Sequence, residues 1–145
     1  MPVDPAVHAA NRAATERIVR LAPSIRDDQL ATPVGEHWNP GVVFAHLAFW
    51  DRRVHLTVDA TEAAGRLVVV DVDIAANDIS LPLWLLVPPR DAARLAVETA
   101  TTLDDRLAAL PPDLLESLHD AVPRWVTRWR HRGEHLDELE AALAR

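Results

Sequence analysis

The sequence predicts an all-α fold, a four-helix bundle with a long crossing connection between its second and third helices. Apolar residues recur at helical spacing in four long segments, and prolines or glycines mark most of the segment ends. No internal repeat or low-complexity tract interrupts this pattern. The chain has 145 residues, which fits one domain spanning 1–145 and a bundle with a single core.

Composition excludes several classes of function. The formal net charge is -7, and all 15 basic residues are arginines scattered among acids, so no nucleic-acid groove is expected. The absence of cysteine excludes disulfides, zinc–thiolate sites and a cysteine nucleophile. The N-terminal segment has no apolar signal region and the most apolar run, LPLWLLVPP, is too short to span a bilayer, so we expect a soluble cytoplasmic protein that does not bind membranes.

The first helix begins at the Asp4–Pro5 pair, a capping residue followed by a first-turn proline. Apolar residues then recur at helical spacing until Pro23. The polar segment 24–38 is broken by a proline and a glycine, which predicts a loop with one short turn.

The second helix is predicted from Asn39–Pro40, a second cap-and-proline pair, to a stop at Gly65. The following segment, RLVVVDVDIAAND, has a β-branched run that favours a short strand, although a long crossing connection between helices fits equally well. The run SLPLWLLVPP predicts a short helical turn.

The third helix is predicted to begin near Asp91 and to end at Pro111–Pro112. A short acidic piece, DLLESLHD, leads to the fourth helix, VPRWVTRWRHRGEHLDELEAALAR. Five residues form the apolar stripe that predicts this last helix: Trp125, Trp129, Leu136, Leu139 and Leu143.

Three histidines fall beside the predicted core. At about 100° per residue, His46 lies at the edge of the buried face of the second helix, whereas Asp51 and His55 lie toward solvent. His131 and His135 are four positions apart and share one face of the fourth helix. Two imidazoles at this spacing can bind one ion at about 2.0–2.1 Å, and a third from a neighbouring helix completes the set. The alternative is that the pair only meets water and that His46 is a hydrogen-bonded structural residue.

The string H-x-x-E-H at 131–135 also matches a metallopeptidase motif. That motif needs a further ligand well downstream, yet only ten residues follow His135, and Glu134 lies about 100° or more from both histidines. We therefore expect Glu134 to be a surface charge. Gly133 either permits close approach of a neighbouring backbone, leaves room beside the site, or is merely tolerated at about 1 kcal/mol. Trp38, just before the second helix, is placed to line a pocket mouth.

Three segments together resemble the DinB-like superfamily of four-helix proteins, which includes the N-terminal domain of mycothiol-dependent maleylpyruvate isomerase. These are HWNPGVVFAHLAFWDRR at 37–53, VDVDIAAND at 70–78 and HRGEHLDELEAAL at 131–143. The resemblance spans nearly the whole chain. It implies that His46, His131 and His135 bind a divalent metal, commonly zinc or nickel, with a position left open for water or substrate. Some relatives have a glutamate at the position of His131, so this chain matches the three-histidine version.

The resemblance also implies a thiol transferase or isomerase that acts on a small-molecule substrate with a low-molecular-weight thiol of the mycothiol type. A thiol bound to a metal loses its proton at neutral pH and becomes a nucleophile. The same ion would equally serve a hydrolase by lowering the pKa of bound water. A noncatalytic bundle that binds a ligand or partner is the other alternative. Homodimerisation is a further expectation, and Asp71, Asp73 and Asn77 either border the pocket or are solvated loop residues.

Overall fold

The computed structural model describes all 145 residues and is entirely helical, without a β-strand, which confirms the all-α prediction. None of its helices combines the length and apolar character needed to cross a bilayer. In chain order the helices are α1 (Ala6–Ser24), α2 (Pro40–Ala64), α3 (Ala76–Trp84), α4 (Pro89–Ala109), α5 (Pro112–Ala121), α6 (Pro123–Val126) and α7 (Arg128–Leu143), with one 3-10 turn at Asp27–Gln29.

Four longer helices pack in a closed order, because α4 lies against both α1 and α2, and α7 also lies against both α1 and α2. Their apolar side chains form two clusters, one containing Val43 and Leu136 and the other containing Val58 and Leu103. Buried polar residues fall between the two clusters along each of the four helices: Asn11 and Thr15 on α1, Asp51 on α2, Asp104 on α4, and Arg128 and Arg132 on α7.

The α2 helix has the ends that the sequence predicts. The side chain of Asn39 accepts a hydrogen bond from the Val42 amide at 3.0 Å, and Pro40 occupies the first turn. Gly65 ends the helix in the left-handed conformation at φ 66°, which costs a residue with a side chain about 1–2 kcal/mol. These local signals fix where α2 starts and stops.

The connection from α2 to α4 contains α3 and, before it, an extended segment without a strand partner. Its backbone is held by threonines of α2, because the amides of Val68 and Val70 donate to the hydroxyls of Thr61 and Thr57, each at 3.0 Å. The carboxylate of Asp73 then accepts from the Ala75 amide at 2.7 Å and starts the turn into α3. The segment is therefore a crossing connection, and the strand alternative is wrong.

The predicted fourth helix is broken, which corrects the prediction at two places. The acidic piece before it is itself helix α5, and Thr127, at φ -85° and ψ 65°, separates α6 from α7. Because α7 starts afresh after Thr127, its inward face carries Arg128 and Arg132 above Leu136. Trp129 is 39% exposed and lies outside the core, contrary to the predicted stripe.

Two predictions on α2 are also wrong. Asp51 is 1% exposed, and the His55 side chain is 15% exposed, although both were expected toward solvent. A single apolar face does not describe α2, because α3, α4 and α7 all pack against it and the extended connection covers it further. Asp51 faces α7, where two arginines neutralise it.

Candidate metal centre

The structure brings the three predicted histidines together. The Nε2 atom of His46, in the middle of α2, lies 3.1 Å from Nε2 of His131 and 3.0 Å from Nε2 of His135, both on α7. Two nitrogens bound to one ion at about 2.0–2.1 Å and separated by about 90–110° lie about 2.9–3.4 Å apart. The two distances from His46 match this requirement, and one nitrogen from each of the three side chains lies within 4.8 Å of the others, so the three could hold a metal ion.

Asn77, in the first turn of α3, sets the orientation of the His46 ring. The side-chain oxygen of Asn77 lies 3.1 Å from Nδ1 of His46 and accepts a hydrogen bond from the Trp50 indole at 2.7 Å. An indole N–H can only donate, so the Asn77 atom is the oxygen and the His46 proton lies on Nδ1. Nε2 of His46 therefore carries a lone pair that can bind an ion, as in metal sites whose ligands are oriented by an outer hydrogen bond.

Indole rings cover the histidines. The Trp38 ring centroid lies 4.7 Å from that of His46 and 5.7 Å from that of His135. The Trp84 ring is nearly perpendicular to that of His46, and their centroids are 5.9 Å apart. Trp38 thus lies at the site, as its place in the sequence indicated. Rings packed at these distances shield one side of the imidazoles, and an apolar covering of this kind strengthens electrostatic interactions beneath it.

The surroundings keep the imidazoles neutral at pH 7. Burial lowers the pKa of His46 to about 3, and burial together with the Arg128 charge lowers the pKa of His131. Burial also lowers the pKa of His135, partly opposed by the Glu138 carboxylate 3.4 Å from its Nδ1. That approach lacks hydrogen-bond geometry, which leaves Nδ1 of His135 buried without a partner. Neutral imidazoles are the form that binds metal.

His131 is held differently from His46. Arg128 places Nη2 at 2.9 Å from Nδ1 of His131, and a guanidinium can only donate. Nδ1 is therefore the acceptor, and the ring proton of His131 lies on Nε2, the atom that faces His46. Binding an ion through this Nε2 requires the proton to move to Nδ1 and Arg128 to give up its contact. Donor type and spacing fit a divalent ion, with this one rearrangement.

A buried ionic network lies behind His131. The two carboxylate oxygens of Asp51 accept from Nε of Arg128 at 2.8 Å and from Nε of Arg132 at 2.9 Å, and Arg132 also donates to Asp104 at 2.9 Å. All four side chains are at most 3% exposed. The two positive and two negative charges cancel. Sequence reasoning missed this network, although the four-residue spacing of Arg128, Arg132 and Leu136 was a usable signal.

The other candidate residues lie away from the three imidazoles. Asp73 caps the turn into α3, and Asp71 is exposed on the connection. Glu134 pairs with Arg124 at 2.8 Å on the surface, as expected of a surface charge. A Cβ atom added to Gly133 would meet nothing within 4 Å, so no neighbouring backbone approaches it closely.

Comparisons of the chain with models of protein families, with curated proteins and with solved structures find no match.

Proposed function

We propose that the protein is a metal-dependent enzyme with a DinB-like four-helix bundle, in which His46, His131 and His135 hold a zinc or nickel ion. The proposed reaction is a transfer or isomerisation of a small molecule with an external, low-molecular-weight thiol of the mycothiol type. The observation that carries the proposal is the convergence of three Nε2 atoms from two helices that are distant in the sequence. The closed packing of α1, α4, α2 and α7 supports the bundle.

The chain supplies neutral nitrogen donors and a covered site. Asn77 fixes the ring of His46, and Trp38 keeps water from one side of two of the ligands. The chain has no cysteine, so a thiol must come from outside. A divalent ion held here would lower the pKa of that thiol and make it an available nucleophile.

A noncatalytic helical bundle is the second candidate, and one observation favours it. Arg128 satisfies Nδ1 of His131 in the tautomer that presents a proton, not a lone pair, toward His46. In this alternative the histidines belong with the buried polar residues that lie between the two apolar clusters, here called the buried polar layer, and the protein holds no ion. The two candidates differ in metal content.

Metal content of protein purified without a histidine tag tests the proposal. We expect about one zinc or nickel ion per chain in the parent, and loss of most of it in His46→Ala, because two imidazoles alone bind far more weakly. His37→Ala is the matched control, because the His37 side chain is 72% exposed and is not one of the three clustered histidines. Equal metal content in the parent and His46→Ala would show that the assignment is wrong.

Thiol binding tests the reaction class separately. Cobalt(II)-loaded protein should develop a near-ultraviolet thiolate-to-metal charge-transfer band when cysteine is added, and none when the thioether methionine is added. His46→Ala should give no band. A parent protein that holds cobalt but shows no band with thiol would exclude the thiol mechanism while leaving the metal site intact.

A further inference from the structure

A cavity of about 700 Å³ lies between α2 and α4, beside the crossing connection. Its wall is mostly hydrophobic and includes Phe49, Leu56, Trp84 and Leu95, and none of the three clustered histidines lines it. Trp84 lies between the cavity and the histidine cluster, because it lines the cavity and also packs against the ring of His46. The volume and apolar wall are those of a small-molecule site.

One cation in this wall, Arg53, has no ion-pair or hydrogen-bond partner in the protein. The guanidinium carbon of Arg53 lies 3.8 Å from the centroid of the Trp125 ring and 4.7 Å from that of Trp50. Its Nε is buried without a hydrogen-bond partner, and no carboxylate lies within ion-pair distance. Every other buried or half-buried arginine forms an ion pair; these are Arg17, Arg90, Arg106, Arg128 and Arg132.

An unpaired guanidinium in an apolar wall has a specific chemical requirement. Burial lowers the pKa of Arg53 to about 10, so the group is still charged at pH 7, and the charge of Asp71 only partly offsets this effect. Arg53 is half-buried, its buried Nε–H lacks a hydrogen-bond partner, and a guanidinium is best satisfied by the two oxygens of a carboxylate. Stacking on the two indoles holds Arg53 in place without using its N–H donors.

The other charges around the cavity also favour an anion. Arg52 lines it together with Arg53, and Glu98 is the single acid among the lining residues. Because most of the remaining wall is apolar, a ligand that fits must combine one negative group with a hydrophobic body.

We propose that this cavity binds a small organic acid, with its carboxylate against the Arg53 guanidinium and its apolar body against the walls of α2 and α4. This site is separate from the histidine cluster, and its occupation does not require a metal ion.

Octanoate is the probe, and 1-octanol is its neutral counterpart. Calorimetric titration of the full chain should show one octanoate bound per protein, at least about tenfold more tightly than 1-octanol, because a hydrogen bond to a charged group is worth that factor or more. Arg53→Met should weaken octanoate binding at least about tenfold. Arg20→Met, which removes an exposed arginine outside the cavity, should leave it unchanged.

A second pair of variants leaves Arg53 and its stacking intact. Leu95 lines the cavity and is 47% exposed, so it can be replaced without disturbing the core. Leu95→Glu adds a negative charge to the cavity wall and should weaken octanoate binding about tenfold relative to the neutral, equally sized Leu95→Gln.

Three results would overturn the proposal: no octanoate binding by the parent, equal affinity for octanoate and 1-octanol, or unchanged binding in both Arg53→Met and Leu95→Glu. His135→Ala, which removes a proposed metal ligand that does not contact Trp84, should bind octanoate as the parent does. Retained octanoate binding in a variant that has lost its metal would therefore separate this site from the proposed function, and loss of octanoate binding in His135→Ala would contradict the independence claimed here.

Discussion

At the scale of single residues, the burial of His46 makes the ion-free protein sensitive to acid. Its pKa is lowered from an ordinary 6.5 to about 3, so the unfolded chain takes up a proton at a higher pH than the folded protein does. The contribution of His46 to stability is present above pH 6.5 and is lost as the pH falls below it. The lowered pKa values of His131 and His135 act in the same direction.

We therefore predict that His46 alone reduces the free energy of unfolding by about 2 kcal/mol between pH 7 and pH 5. Urea unfolding with a chelator present, at several pH values, measures this loss. His46→Gln should show a shallower dependence on pH, whereas His37→Gln should behave as the parent. Identical slopes for the parent and His46→Gln would refute the proposed effect of burial.

The second prediction concerns Asp51, whose carboxylate neutralises two buried guanidiniums. Asp51→Asn leaves Arg128 and Arg132 with an uncompensated charge in the interior and should lower the free energy of unfolding by about 3–5 kcal/mol. Asp105→Asn is the matched control, because Asp105 is 63% exposed in its ion pair with Arg12, and it should cost less than about 1 kcal/mol. Chemical denaturation of both variants measures the difference, and similar losses would contradict the account.

At the scale of helices, two glycines provide a paired test of packing. A side chain at Gly133 would meet open space, so Gly133→Ala should stabilise the protein by about 0.5–1 kcal/mol through better helix propensity. A side chain at Gly41 would come within 3.1 Å of Pro89 at the start of α4, so Gly41→Ala must displace Pro89 and should show no such stabilisation. Thermal unfolding compares the two. A stabilising Gly41→Ala would show that the contact between α2 and α4 yields easily.

The helices differ in how far their sequence determined them. The ends of α2 were predictable because Asn39, Pro40 and Gly65 act on the backbone next to them. The break at Thr127 was not, because a continuous apolar period ran through it, and that break decides which side chains of α7 face inward. The connection before α3 was ambiguous because its backbone partners, Thr57 and Thr61, lie on another helix.

Only part of the candidate site was predictable from the sequence. His131 and His135 share a face by spacing alone, and the resemblance added His46 as the third residue. The roles of Asn77 and Arg128 depend on how α3 and α7 lie against α2, which no local pattern encodes. The burial of Asp51 was not predictable from spacing, because a helix with one buried face directs it toward solvent, whereas three helices pack against α2.

At the scale of the whole molecule, the three histidines join parts of the chain that are 85 residues apart. An ion bound only by the folded protein stabilises it by mass action, so zinc at about 100 times its dissociation constant should raise the free energy of unfolding by about 2.7 kcal/mol. Thermal unfolding with zinc or with chelator measures this gain. His135→Ala should show little of it, and His37→Ala should match the parent. A parent protein whose stability does not respond to zinc would argue for the noncatalytic bundle.

The buried polar layer also organises the molecule as a whole. It separates two apolar clusters and connects all four long helices through Thr15, Asp51, Asp104 and Arg132. Each of these groups needs partners on other helices, so a packing with one helix rotated or shifted would leave charges unsatisfied. The layer therefore favours one arrangement of the helices over its near alternatives.

The cancellation of charge within that layer has a consequence for selectivity. Neutral imidazole ligands do not reduce the positive charge of an ion that they bind. The two buried aspartates behind them are already neutralised by two arginines. A divalent cation bound by the three histidines would therefore form a centre with a net positive charge. Sulfide, azide or carboxylate ions should displace water from such a centre more readily than amines or alcohols of similar size.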